Sequence, residues 1–246
     1  MADTAWAEAI GVLAPHCFKV LTPEGSGTGF LITYRKQKAL CGVATAYHVV
    51  QDANEWEKPI KIVDEATHKT RILKEKERII FRDTKADLAV VLFERKDLTV
   101  PDALLAPAPA DKFVRPGIEI GWVGYPAVAP ETLSFFSGRV SSFLPSQGAY
   151  LVDGVAINGV SGGPAFLAAF LGSGKELRME VLGVVTAYIP NRATGESLPG
   201  VCFIAGIYPI HKMVQAMESF DEAIQKAAEI KESVQEDSSE SPGAST

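Results

Sequence analysis

Asn158-Gly159-Val160-Ser161-Gly162-Gly163-Pro164 sets a serine in a glycine-rich loop, directly ahead of the apolar run Ala165–Ala169. Glycine lets a chain pass through left-handed φ values and lets other atoms approach the backbone closely. This stretch therefore reads as a tight turn with accessible N–H groups. By itself it fits a strand-to-helix turn in an alternating β/α chain, or a strand-to-strand turn in an all-β chain. The segments on either side decide between them.

Outward from that loop, short β-rich runs recur between clusters of Gly, Pro, Asn and Asp. They are 18–21, 29–34, 40–44, 60–63, 78–81, 88–94, 118–123, 133–143, 149–152, 165–169, 181–187 and 201–207. No helical periodicity of useful length lies between them, which predicts an all-β sandwich or pair of barrels rather than βαβ units. The period changes only at the ends. Residues 3–13 read as a short helix with Trp6, Ile10 and Leu13 on one face. After Tyr208-Pro209, apolar residues from Ile210 to Ala228 recur at three- and four-residue steps, which predicts an amphipathic helix over 208–234. The Ser- and Glu-rich stretch 235–246 reads as a disordered tail.

Composition narrows the partners. The chain has 246 residues, 47% of them apolar, with 24 basic and 30 acidic side chains and a net charge of −6. The apolar fraction excludes wholesale disorder. The acidity argues against a nucleic-acid or anionic-membrane surface, which needs clustered Lys and Arg. No apolar run is as long as a membrane span. Cys17, Cys41 and Cys202 cannot all pair within one chain, and no CxxC is present. They read as small buried hydrophobes, and no metal or cofactor is expected. The N-terminus has acids where an export signal needs bases, so a reducing, cytoplasmic setting is expected.

Two further segments complete the chemistry. In Ala44-Thr45-Ala46-Tyr47-His48-Val49-Val50 a histidine ends an apolar strand, and in Lys85-Ala86-Asp87-Leu88-Ala89-Val90-Val91 an acid opens a buried one. A serine hydroxyl is a weak nucleophile. It needs an imidazole to take its proton and a carboxylate to fix the imidazole's tautomer. His16, His68 and His211 lack such a setting, and His211 reads as a surface residue. Gly159-Val160-Ser161-Gly162-Gly163 also fits the G-x-S-x-G elbow of α/β-hydrolases, but that fold requires an acid and then a histidine after the serine. Here only His211 follows Ser161, with Asp221 behind it, so the order is wrong and β/α alternation is missing.

The order His48, Asp87, Ser161 resembles that of the chymotrypsin-like (trypsin-fold) serine peptidases. It looks closest to the short bacterial and organellar HtrA-like branch, without its PDZ domain. The resemblance covers roughly residues 17–215. It includes Gly25-Ser26-Gly27-Thr28-Gly29-Phe30-Leu31-Ile32, Gly121-Trp122-Val123-Gly124-Tyr125-Pro126 and Gly183-Val184-Val185-Thr186-Ala187. It implies two six-stranded antiparallel β-barrels, at about 17–105 and 117–207, joined by a Pro-rich connector. It also implies a serine endopeptidase working through an acyl-enzyme. Ser161 would be the nucleophile, His48 the general base, Asp87 its orienter, and the N–H groups of Gly159 and Ser161 the oxyanion hole. Thr186, Ala187 and Tyr188 would pair with the substrate backbone, with Val155 at the floor of the specificity pocket and Gly200 on its wall.

The chain departs from the pattern in places. Val160 stands where digestive members carry the aspartate that pairs with a newly cut N-terminus, so that zymogen switch is not expected. Val155 places no acid at the pocket floor, which favours a small or medium apolar residue before the scissile bond. Tyr47 either packs on the barrel or shapes the cleft. The partners expected are a peptide or protein substrate and, through the long C-terminal helix, a second copy or another protein. The alternative is a peptidase-fold binding or regulatory module whose site is inactive or assembled only on partner binding.

Overall fold

The computed structural model describes residues 2–171, 176–190 and 197–239. Helix α1 (Ala2–Leu13) leads through a single 3-10 turn into β1 (Cys17–Thr22), β2 (Gly25–Arg35) and β3 (Leu40–Ala46). Helix α2 (Tyr47–Glu55), β4 (Ile60–Asp64), β5 (Lys69–Leu73), β6 (Arg78–Asp83) and β7 (Leu88–Glu94) complete the first lobe. The second lobe contains β8 (Glu119–Gly124), β9 (Ser134–Leu144), β10 (Ala149–Asp153), β11 (Pro164–Leu171), β12 (Glu176–Pro190) and β13 (Ser197–Gly206), and α3 (Tyr208–Ser239) follows.

The second lobe is a closed six-stranded barrel in the order β10-β13-β12-β11-β8-β9, as expected. The first is a seven-stranded sheet, β5-β4-β1-β2-β3-β7-β6, whose edge strands do not pair with each other. It has one strand more than the sequence suggested and no closing ladder. The extra strand, β5, opens on Lys69-Thr70-Arg71 and has little of the apolar alternation that marks the others. Arg78 bonds across the seam. Its guanidinium donates to the carbonyls of Leu73 (2.7 Å), Ala53 (2.7 Å) and Lys58 (2.6 Å), and so ties β6 to the end of β5 and to the segment before β4.

Each lobe has its own apolar centre. Phe18, Leu31, Val50, Ile60 and Phe93 belong to the first, and Ile120, Trp122, Val152, Val160 and Ile204 to the second. A third cluster lies between the lobes and joins Phe30, Leu88 and Val90 to Val123, Phe166 and Val184. The terminal helices complete it crosswise. Helix α1 precedes the first lobe but packs on the barrel, with the Trp6 ring 5.5 Å from both Phe135 and Phe166. Helix α3 follows the barrel but packs on β6 and β7 of the first lobe. There Arg35, at the end of β2, grips Asp221 at 2.7 Å and donates to the Met217 carbonyl. Helix α3 runs five residues past the predicted end, because no Gly or Pro interrupts the chain before Pro242-Gly243. Residues 240–246 of the expected tail lie outside the described residues.

Candidate active site

The site begins where β3 ends. Ala46 offers no side-chain cap to α2, so the first N–H groups of that helix need partners from elsewhere. Asp87 supplies them. Its carbonyl accepts the Tyr47 N–H (2.9 Å), and its Oδ1 accepts the His48 N–H (2.8 Å). Oδ2 is left to accept from His48 Nδ1 at 2.6 Å. Because a carboxylate only accepts, a ring hydrogen sits on Nδ1, and in the neutral imidazole the Nε2 lone pair is then free to take a proton. Asp87 is held for this task by its turn. It has φ +55°, a left-handed value that Asp tolerates better than most residues. Asp83 Oδ1 accepts the N–H groups of Lys85 and Ala86, both at 3.0 Å, and so fixes the turn from β6 into β7. The sequence reading gave neither α2 nor Asp83 a role. Tyr47 packs in the first-lobe core, with Arg82 over its ring at 5.6 Å, so it does not shape the cleft.

The serine loop crosses from the barrel to meet α2. A side-chain carbon on Gly27 would lie 2.6 Å from a Val49 methyl and 2.9 Å from the Ser161 carbonyl. One on Gly162 would lie 1.9 Å from the Thr28 carbonyl and 3.1 Å from Ala46 N. These contacts leave room only for glycine, and they bring Ser161 to the start of the histidine helix. Among the described residues, Ser161 Oγ has no hydrogen-bond partner; such contacts commonly tighten only once substrate is bound.

Every carbonyl from 158 to 161 is occupied. Asn158 O accepts from Ala127 N (2.7 Å), Gly159 O from the Thr28 hydroxyl (2.8 Å), Val160 O from Gly163 N (3.0 Å) and Ser161 O from Thr28 N (2.8 Å). In a trans peptide the N–H points opposite to the preceding C=O. The bound carbonyls of Asn158 and Val160 therefore turn the N–H groups of Gly159 and Ser161 away from those partners, and neither donates to a backbone carbonyl among the described residues. Bare, fixed donors of this kind can stabilise an oxyanion.

An open strand edge lies alongside. β11 pairs with β12 only as far as Val184, and Val185 then exchanges bonds with Gly162 and Gly163. From Thr186 onward β12 pairs with β13 alone among the described residues, so its other edge is open. Thr186 is buried at a bulge. The side chains of Ala187 and Tyr188 lie outside those described. Val155 is about half exposed (49%) on the loop after β10. Gly200 has φ +84° and accepts the Gly154 N–H at 2.8 Å. His211, read from sequence as a surface residue, is half-buried, with Nε2 3.0 Å from the Ala108 carbonyl.

Two β-lobes with a histidine–carboxylate pair on one and a glycine-loop serine on the other define a chymotrypsin-like fold of the serine-protease class. The family comparison agrees: the trypsin-like peptidase domain profile matches residues 27–170, and the chain belongs to that family. Among solved structures it is similar to the serine endoprotease from Yersinia pestis, with 19% identity and a TM-score of 0.59 over 86% of this chain and 65% of that one. It is also similar to Deg5, with 20% identity and a TM-score of 0.60 over 86% of this chain and 92% of that one. The HtrA-type protease AlgW with tripeptide is similar too, with 18% identity and a TM-score of 0.61 over 86% of this chain and 63% of that one. At these identities the likeness speaks for the fold. The chain spans about two thirds of the Yersinia protein's length. No curated protein matches it by sequence.

Proposed function

We propose that the protein is a serine endopeptidase. The observation that carries this reading is the His48–Asp87 pair, with Nδ1 against the carboxylate, beside a loop whose Gly159 and Ser161 N–H groups donate to no backbone carbonyl among the described residues. In the proposed cycle Ser161 Oγ attacks the peptide carbonyl as His48 Nε2 takes its proton. The N–H groups of Gly159 and Ser161 hold the resulting oxyanion. His48 then gives the proton to the leaving amine, and water hydrolyses the acyl-enzyme by the same route in reverse. Substrate adds as a strand to the open edge of β12 at Thr186–Tyr188. Val155, at the position the resemblance gives to the pocket floor, places no acid there, and with Gly200 on the wall this favours a small or medium apolar residue before the scissile bond.

The occupied carbonyls of 158–161 support a resting loop that is already shaped for catalysis. Val160 is fully buried among Trp122, Ala165 and Val185, which supports a loop held by packing instead of by a newly cut N-terminus. The unpartnered Ser161 Oγ favours a second reading, in which ligand or partner binding completes the site. The buried, unpaired state of all three cysteines is compatible with the cytoplasmic setting we infer. The last turns of α3 are proposed as a contact for a second copy or a partner protein. Light scattering after truncation behind Ala223, which keeps the Arg35–Asp221 pair, tests that idea.

Fluorophosphonate labelling tests the function. The protein should be labelled and Ser161→Ala should not. Equal labelling of both, or of neither, rejects the peptidase reading.

A further inference from the structure

Thr28 lies in β2 of the first lobe, fully buried, and every polar atom it has is bonded. Its N–H donates to Ser161 O at 2.8 Å, and its hydroxyl donates to Gly159 O at 2.8 Å. The same hydroxyl accepts the Tyr125 N–H at 2.9 Å. Its carbonyl accepts the Thr45 hydroxyl at 2.7 Å, three residues before His48. One residue thus ties the serine loop, the exit of β8 and the strand carrying the histidine helix.

We propose that Thr28 is a positioning residue for the oxyanion hole, an inference that rests on the peptidase reading above. The hydroxyl has one proton. Because Tyr125 N–H occupies one side of its oxygen, that proton is directed at Gly159 O. Gly159 has φ +91° and no side chain, so the peptide units on either side of it turn easily unless something holds them. Ala127 N holds the unit before it. The unit after it is held at both ends, by the Thr28 hydroxyl on Gly159 O and by Val160 N–H donating to Ile157 O at 3.1 Å. The two prospective donors, Gly159 N–H and Ser161 N–H, flank this unit, whose carbonyl end Thr28 fixes. Replacing the hydroxyl with a methyl leaves Gly159 O and Tyr125 N–H buried without partners, and the loop can recover them only by turning. The glycines around Thr28 make this approach possible. A side-chain carbon on Gly27 would strike Val49, and one on Gly29 would lie 2.6 Å from Val43.

The experiment compares Thr28→Val, which keeps shape and loses the hydroxyl, with Thr28→Ser, which keeps the hydroxyl and loses the methyl. Fluorophosphonate labelling kinetics separate the first-order inactivation rate constant from the reversible affinity, with a circular dichroism melt for each variant. Thr28→Val should lower the rate constant about ten- to a hundredfold. The reversible affinity should stay within about twofold, because the β12 edge is untouched, and Thr28→Ser should recover most of the rate. If Thr28→Val does not fold, Thr28→Ala takes its place in the comparison. A normal rate in the hydroxyl-less variant overturns the inference, as does a loss in Thr28→Ser equal to that in Thr28→Val, since packing would then account for it. In both cases the peptidase reading stands. An unlabelled wild-type protein overturns both.

Discussion

Asp87 has two tasks at one position: it closes the end of α2 and orients an imidazole. Asp87→Asn separates them. The amide oxygen can still accept the His48 N–H, so the fold should stay close to native. The amide nitrogen facing Nδ1 would favour the wrong tautomer, and kcat should fall by about 10³–10⁴ with KM little changed. Steady-state kinetics on a peptide substrate check this, and a loss of less than tenfold would remove Asp87 from the proton relay. At this scale the sequence was most informative where chemistry restricts residue choice. An imidazole, a carboxylate and a glycine-loop alcohol in that order are few enough to find. Thr28 and Asp83 escaped notice because their partners are backbone groups, and which N–H or carbonyl faces a hydroxyl depends on the folded path of the chain. Thr28 sat inside a quoted motif, yet nothing in Gly27-Thr28-Gly29 reveals that Gly159 lies opposite.

Strands built from alternating Val, Ile, Leu and Phe were readable: nine of the twelve predicted runs lie wholly within β-strands, and the other three (118–123, 133–143 and 201–207) overrun theirs by one residue. The elements that escaped were those held by outside partners. Helix α2 is nine residues long, too short for periodicity to show, and its N-terminus is satisfied by a residue 39 positions away. β5 is a polar edge strand. Arg78 bonds three carbonyls across the open seam, so Arg78→Met, which keeps the aliphatic stem and removes the donors, should expose the cost of losing those bonds. A loss of about 2–4 kcal/mol in urea unfolding is expected, and one below about 0.5 kcal/mol would show that water reaches the seam. Glu180 does similar work on β12. Lys112 and then Arg178, whose Nη2 is 2.6 Å away, hold its carboxyl below the ordinary range. A depressed acid stabilises the fold fully above its unfolded pKa, near 4.5, and that contribution is lost as pH falls through the lower folded value. Glu180→Gln should therefore lower Tm at pH 7 by about 2–4 °C, and the gap to wild type should narrow as the pH drops below about 4.5. A gap that holds constant into acid would assign the effect to packing.

At the scale of the whole molecule, the inter-lobe cluster and the crossed helices make the two lobes one body. The connector is fastened along its length. The carbonyls of Pro101, Asp102 and Ala103 each meet a different side chain, from Tyr34, Lys38 and His16 in turn, and Ala108 O meets His211. None of this was visible in a sequence that showed the connector only as a Pro-rich stretch, because the fastening groups come from β2, the following hairpin and both ends of the chain. Residues 109–113 are exposed, and a trypsin cut after Lys112 requires only that its ion pair with Glu180 open. A single cut there should leave two pieces that elute together from a sizing column and separate only in denaturant. Elution as separate pieces in native buffer would show that covalent continuity holds the lobes. The crossed helices carry a practical corollary: the gene could be divided at that point and its halves produced apart. On mixing, each would find in the other the surface its outer helix was made to cover, and activity would return as a reporter of their encounter.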